Sequence, residues 1–177
     1  GGAMASNLLA NYPEVFTAGA IVAGIPFPCA DDLVKAIACM KNGADKEAPA
    51  LADMVQKLQS KALSPEIWPR ISVLTGLDDR IVAPVNSQQI AEQWALLNNA
   101  AIAEPAEENG LGNASGKSPE ISRWVRDGDV VVELIGLPDV GHGMPVNPEL
   151  MFGGEEAPFI LKSDFSAARY LVEFWNI

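Results

Sequence analysis

The stretch Ile71-Ser72-Val73-Leu74-Thr75-Gly76-Leu77-Asp78-Asp79 decides how we interpret the fold of this 177-residue chain. It is an apolar run of strand length that ends in a glycine and two acids. A second apolar run, at residues 130–135, is followed by Gly141-His142-Gly143, and His142 is the only histidine in the sequence. Such runs are typical of parallel strands that are covered on both faces. The sequence therefore predicts an α/β fold with an acid and a histidine just past the ends of two strands.

The rest of the chain alternates helical and strand patterns, without an internal repeat. Helices are predicted at residues 1–12, 33–40, 51–63, 84–98 and 164–175, and strands at 18–24, 70–75, 120–126 and 129–137. Asp127-Gly128 predicts a tight turn that joins the last two strands as a hairpin. Residues 28–66 are long for a plain crossover, so we interpret them as a helical insertion over the site, in the manner of a lid.

Several short motifs, in this order along the chain, resemble the esterase family of secreted poly(3-hydroxybutyrate) depolymerases and feruloyl esterases, within the α/β-hydrolase superfamily. Gly1-Gly2-Ala3-Met4 is similar to the sequence that closes the family's nucleophile elbow, G-x-S-x-G-G-A-M. The other matches are the acid loop G-x-x-D-x-x-V at residues 76–82, the N-x(7)-W helix with Asn86 and Trp94, the histidine loop at residues 141–145 and the terminal Phe174-Trp175.

The resemblance implies an incomplete α/β-hydrolase fold: the C-terminal part of a mostly parallel sheet with flanking helices. Residues 1–177 would be the C-terminal part of one catalytic domain, with the serine two residues upstream of Gly1 and both oxyanion donors also upstream. No G-x-S-x-G occurs in the sequence. Ser6 lies in the first predicted helix without elbow glycines, so we interpret it as an ordinary helix serine. The strand at 18–24 would lack a neighbour on one side, and the missing N-terminal segment, as a second chain, is an expected partner.

The acid-loop match favours Asp79 over Asp78 as the acid of a Ser-Asp-His triad. Adjacent residues in an extended chain point to opposite sides, so only one of the two can face the histidine. Asp79 would orient the imidazole and stabilise its cationic form. His142 would act as general base toward the serine and then as general acid toward the leaving alkoxide.

The function implied by the resemblance is hydrolysis of carboxylic esters, either polyesters or aryl and acyl esters, without a cofactor, by a secreted or periplasmic protein. This chain alone would be inactive because it lacks the nucleophile. Two alternatives stay open: a serine peptidase of the prolyl-oligopeptidase type, which shares the triad order, and a non-catalytic fragment or binding module, which the missing serine motivates.

Five apolar residues are candidates for the lining of the substrate cleft: Ile25, Pro26, Phe27, Trp124 and Met144. Secreted relatives commonly carry disulfides, which makes Cys29 and Cys39 a candidate pair. In one straight helix their Cα atoms would be about 15 Å apart, whereas a disulfide needs about 4.4–6.8 Å. The two residues are therefore either bridged through a bend in the segment or present as two buried thiols.

Composition excludes several other classes of function. The net charge is −11, and the 12 Lys and Arg residues are scattered, which argues against binding to a phosphate backbone. No apolar run reaches the roughly 20 residues of a membrane span. Two cysteines and one histidine do not make up the usual ligand sets of a zinc site.

Overall fold

The structure is a computed structural model that describes residues 1–59, 68–103 and 118–176. Its centre is a five-stranded sheet, with helices on both faces and a small two-stranded sheet beside it. The helices are α1 (Gly2–Asn11), α2 (Leu33–Asn42), α3 (Ala48–Gln59), α4 (Val85–Leu97) and α5 (Ala167–Trp175). The strands are β1 (Ala18–Val22), β2 (Arg70–Gly76), β3 (Ala101–Ile102), β4 (Glu120–Arg126), β5 (Asp129–Leu137), β6 (Met144–Val146) and β7 (Ile160–Lys162).

The large sheet is mixed and has the strand order β1-β2-β5-β4-β3. Strands β1, β2 and β5 are parallel, whereas β4 is antiparallel to β5 and β3 is antiparallel to β4. Within the described residues β1 pairs only with β2, so it is an edge strand, as predicted. The three parallel strands bring their carboxyl ends to one edge of the sheet.

The hairpin between β4 and β5 follows directly from its turn residues. Asp127 and Gly128 have φ angles of 55° and 92°, so both central residues of the turn are left-handed. Two left-handed residues are what a type I′ turn requires, and the twist of that turn matches the twist of the two strands. The predicted hairpin is confirmed at both strand boundaries.

The core consists of two apolar clusters, one on each face of the sheet. Ile71 and Val73 of β2 face α1, α3 and α4, whereas Leu74 faces α5 together with Ile135 of β5. Because successive side chains of a strand point to opposite faces, a strand that is covered on both faces has to be apolar almost throughout. This requirement explains the continuous apolar run of β2.

A buried carboxylate lies within the apolar face of the sheet that α5 covers. Glu133 of β5 is fully buried, and Ser72 and Arg123 stand directly opposite it on the two neighbouring strands. The Ser72 hydroxyl donates to Glu133 Oε1 at 2.7 Å, and the Tyr170 hydroxyl of α5 donates to Oε2 at 2.9 Å. Arg123 Nη2 donates to Tyr170 Oη at 3.2 Å, and Arg123 Nε lies 3.7 Å from Oε2. Burial, with this carboxylate nearby, raises the pKa of the Tyr170 phenol. The network ties α5 to the middle of the sheet.

The insertion at 28–66 contains α2 and α3, and its residues 60–66 lie outside the described part of the chain. The helix predicted at 33–40 is α2. Asp32 caps its N-terminus by accepting from the backbone N–H of Lys35 at 2.8 Å, and Gly43 follows its last residue. Helix α3 packs on α1 and α4, and it buries Leu51 and Val55 completely. The function of the insertion as a lid stays a prediction.

Strands β6 and β7 were not predicted from the sequence. They are three residues each and pair in parallel, with Met144 beside Ile160. Segments this short carry no periodic signal. None of the described helices is long and apolar enough to cross a membrane.

Candidate active site

The acid loop and the histidine loop meet at the carboxyl edge of the parallel strands. Gly76 closes β2, and a Cβ at this position would meet the backbone oxygens of Val140 and Gly141. Leu77 N–H donates to Leu137 O at 2.9 Å, and Asp78 N–H donates to Val140 O at 3.1 Å. Only a glycine permits this close approach of the two backbones, so Gly76 brings the loop with Asp79 against the loop with His142.

Asp79 and His142 form a hydrogen bond at this edge. Asp79 Oδ2 lies 2.8 Å from His142 Nδ1. The Asp79 side chain is fully buried, and the His142 side chain retains a quarter of its exposure. Asp78, by contrast, is exposed. The structure thus brings together the acid and the histidine that the sequence analysis paired.

The backbone of its own loop orients the Asp79 carboxylate. Oδ1 accepts from the N–H groups of Ile81 and Val82, at 2.8 and 2.9 Å. With Oδ1 held in this way, Oδ2 is directed at His142 Nδ1. A carboxylate on Nδ1 fixes the imidazole orientation and leaves Nε2 as the nitrogen that can exchange a proton with a reacting group.

A cavity of about 340 Å³ opens between His142 and the N-terminal end of α1. Of the five residues predicted for the cleft, Met144 lines this cavity. The sequence analysis missed Phe159, whose ring lies edge-on to His142. The full lining is Gly1, Gly2, Ala5, Ala20, Val22, Ala23, His142, Gly143, Met144 and Phe159. Apart from His142, these side chains are apolar or absent.

The other predicted cleft residues lie elsewhere. Ile25, Pro26 and Phe27 line a second cavity, of about 350 Å³, together with residues of α1 and the start of α2. Trp124 is buried in the core cluster that contains Ile71 and Val73. Its register opposite Val132 directs the ring to the face of the sheet that α4 covers. Ser6 is buried in α1 and is not among the residues that line the His142 cavity.

Cys29 and Cys39 are free thiols in this structure. Cys29 lies in the loop before α2, and Cys39 is buried within α2. A hydrogen bond between the two thiols lowers the pKa of Cys29 and raises that of Cys39. Because Cys29 precedes α2, the two cysteines are not spaced along one straight helix, and both line the same cavity. Among the described residues, no group of three or more His, Cys, Asp or Glu is arranged to hold a metal ion.

Asn86, part of the N-x(7)-W motif, connects α2 and the acid loop through hydrogen bonds. Its side chain is completely buried, and Nδ2 donates to the carbonyl oxygens of Met40 and Ala83, at 3.2 and 3.1 Å. Ala83 N–H donates to the same Met40 oxygen at 2.7 Å, and Lys41 Nζ donates to Arg80 O at 2.7 Å. The end of α2 therefore supports the segment that orients Asp79.

The two glycines that flank His142 are expected to respond differently to substitution. A Cβ at Gly143 would lie 2.6 Å from Phe159 O and 2.9 Å from Leu161 Cγ, whereas a Cβ at Gly141 would meet no atom within 4 Å. Overpacking of this kind costs about 1–3 kcal/mol. We expect Gly143→Ala to lower the free energy of unfolding by that amount in urea titrations, and the matched Gly141→Ala to change it by less than about 0.5 kcal/mol. Equal effects would contradict this account of the histidine loop.

Comparison with known proteins gives the same family as the sequence motifs. The profile of the esterase PHB depolymerases matches residues 1–114. The chain belongs to this esterase family. The family resemblance inferred from the motifs is thereby confirmed, and the matched region includes the first helix, the insertion and the acid loop. His142 and the cavity wall at Phe159 lie beyond it.

The proteins to which this chain is similar include larger ones. Poly(3-hydroxyalkanoate) depolymerase C of Paucimonas lemoignei is 30% identical over 179 residues, which is 100% of this chain and 42% of the relative. Feruloyl esterase B of Thermothelomyces thermophilus is 31% identical over 100 residues, which is 54% of this chain and 34% of the relative. The chain therefore spans less than half the length of these relatives.

A solved PHB depolymerase has the same fold over part of its length. The structure of that enzyme complexed with an R3HB trimer matches 100% of this chain and 49% of its own chain, with a TM-score of 0.59 and 18% identity. The predicted fold, part of an α/β-hydrolase with flanking helices, is confirmed, and the sheet that was predicted to be mostly parallel is mixed.

Proposed function

We propose that this chain supplies the acid and the histidine of a serine carboxylic-ester hydrolase, with the serine on a segment that precedes Gly1. The observation that carries the proposal is the 2.8 Å hydrogen bond between Asp79 and His142, beside a cavity that Gly1 also lines. In the family's elbow motif the serine stands two residues before the position of Gly1. A serine there would lie close to the cavity into which His142 opens.

The chemistry that follows is acyl transfer in two steps. His142 Nε2 takes the proton of the serine hydroxyl as the serine attacks the ester carbonyl, and it returns that proton to the leaving alkoxide. A water molecule then attacks the acyl-enzyme with the same histidine as base. The acyl–serine bond breaks, the carboxylic acid leaves, and His142 returns the proton to the serine oxygen. Asp79, held by the Ile81 and Val82 amides, keeps the imidazole oriented and stabilises its cationic form.

The substrates we propose are polyesters of hydroxy acids or aryl and acyl esters. Support comes from the names of the relatives, a poly(3-hydroxyalkanoate) depolymerase and a feruloyl esterase, and from the apolar lining of the cavity. A polymer too large to enter a cell has to be cleaved outside it. The proposal therefore includes export of the protein, to the periplasm or the medium.

The test is hydrolysis of p-nitrophenyl butyrate by the parent protein, meaning the 177 residues joined to the upstream segment that carries the elbow. We expect His142→Ala to lower kcat by about 10³-fold or more, because the serine loses its base. A phosphonate inhibitor should label the elbow serine. Labelling at Ser6, or activity that survives His142→Ala, would contradict the proposal.

A further inference from the structure

Phe159 is an exposed aromatic residue in a strained conformation next to His142. It retains 66% of its exposure, and its φ angle is 62°. Bulky residues rarely adopt the left-handed region, and where they do, the strain is often found at a functional site. Phe152, in the same segment, has a φ of 61° and 87% exposure. The two residues thus share a left-handed conformation and an exposed ring, but only Phe159 lies beside His142.

The backbone holds Phe159 directly behind the histidine loop. Its carbonyl oxygen accepts from Met144 N–H at 2.8 Å, and Ile160, the next residue, begins the strand that pairs with β6. Phe159 is a central residue of the turn that two hydrogen bonds between Ala157 and Ile160 close, at 3.1 and 2.8 Å. These bonds fix the residue although its side chain is largely in solvent.

The ring lies against the imidazole and forms one wall of the cavity. The centroids of the Phe159 and His142 rings are 6.2 Å apart, with an interplanar angle of 81°. This edge-to-face geometry is favourable for aromatic pairs. Phe159 lines the cavity with Met144, Val22 and Ala20, whereas Phe152 does not. An apolar wall next to a catalytic base is where part of a bound ester would pack.

We propose that Phe159 determines the specificity of the proposed ester hydrolysis, by forming the wall on which an uncharged, apolar acyl chain packs beside His142. The inference rests on the proposed function and adds to it the chemical class of the acyl group. Contact with the ring would cover apolar surface on both the protein and the acyl chain, and the gain would grow with each methylene that reaches the ring.

The test compares Phe159→Ala and Phe159→Leu with Phe152→Ala in the parent protein. Rates are measured on p-nitrophenyl acetate, butyrate and hexanoate. We expect Phe159→Ala to lower kcat/KM for the hexanoate by about tenfold, mainly through KM, and to change the acetate by less than about threefold. Phe159→Leu should retain part of the preference because it keeps an apolar wall. Phe152→Ala should leave the ratio of kcat/KM for the hexanoate to kcat/KM for the acetate unchanged.

The outcomes separate this inference from the function on which it rests. If the parent hydrolyses esters and Phe159→Ala has the same chain-length profile as Phe152→Ala, the specificity proposal is wrong and the esterase proposal stands. If the parent hydrolyses none of the esters, both are overturned. NMR tests the position of the Phe159 ring independently of activity. Phe159→Leu removes the ring current, which should shift the signals of the His142 ring protons. An unchanged spectrum would also count against the proposal.

Discussion

Asp79→Asn is expected to lower kcat for ester hydrolysis by the parent protein by about 10³–10⁴-fold. The carboxylate has an acceptor oxygen for the loop amides and a second one for the Nδ1 proton of His142, and its charge stabilises the imidazolium. An amide has one acceptor oxygen and no charge. If the amide NH₂ group faces the ring, it donates to Nδ1 and favours the tautomer with the proton on Nε2. That tautomer cannot take a proton from a serine.

The matched control is Asp78→Asn, which removes the same charge one position away. Asp78 is exposed, and the Asp79 carboxylate holds the bond to His142. We expect this variant to stay within about threefold of the unmodified protein, because solvent screens an exposed charge. A comparable loss in both variants would mean that the general charge of the loop matters and that the hydrogen bond does not. Steady-state rates, with urea midpoints as a check on folding, decide between these readings.

Glu133→Ala is expected to lower the free energy of unfolding by about 3–5 kcal/mol. The change leaves the Ser72 hydroxyl without its acceptor and removes the acceptor of the Tyr170 hydroxyl. It also takes the carboxylate away from the Arg123 guanidinium and opens a cavity in the middle of the sheet. Glu133→Gln should lose less, because it keeps the shape and one acceptor oxygen.

The control for this prediction is Glu173→Ala on α5. Glu173 accepts from Arg169 Nε at 2.9 Å, but the pair is exposed on the helix surface. Surface pairs of this kind contribute little, so we expect a change within about 0.5 kcal/mol. Urea unfolding followed by circular dichroism measures both variants. A loss below about 1 kcal/mol for Glu133→Ala would show that the network is dispensable for stability.

The sequence predicted those parts of the fold that have local causes. Asp127-Gly128 defines a hairpin because both residues tolerate a positive φ, and Asp32 starts α2 because its carboxylate caps the helix. The partnership of Asp79 and His142 could be inferred because each follows a strand, and the acid-loop pattern distinguished Asp79 from its neighbour. The physical reason for that choice, the Ile81 and Val82 amides on Oδ1, is visible only in the structure.

Other parts of the fold and of the site depend on contacts between residues that are far apart in the sequence. Whether Trp124 faced a cleft or the core was decided by its register opposite Val132, which its own segment does not encode. Phe159 was not among the predicted site residues, since nothing near it in sequence shows that its carbonyl oxygen accepts from Met144 N–H. Glu133 did leave a signal: it is an acid in the middle of the apolar run at residues 130–135. Such an acid requires partners when the strand is covered on both faces.

The hydrogen bonds around Met40 set a boundary for recombination between relatives. Its carbonyl oxygen accepts from Ala83 N–H and from Asn86 Nδ2, so the end of α2 and the acid loop share one acceptor. In a chimera that exchanged α2 alone, any shift of the helix end would move this carbonyl oxygen away from its two donors, and with it the support for the segment that orients Asp79. An engineered exchange of α2 should therefore extend to Asn86, so that the insertion and the acid loop are transferred as one block.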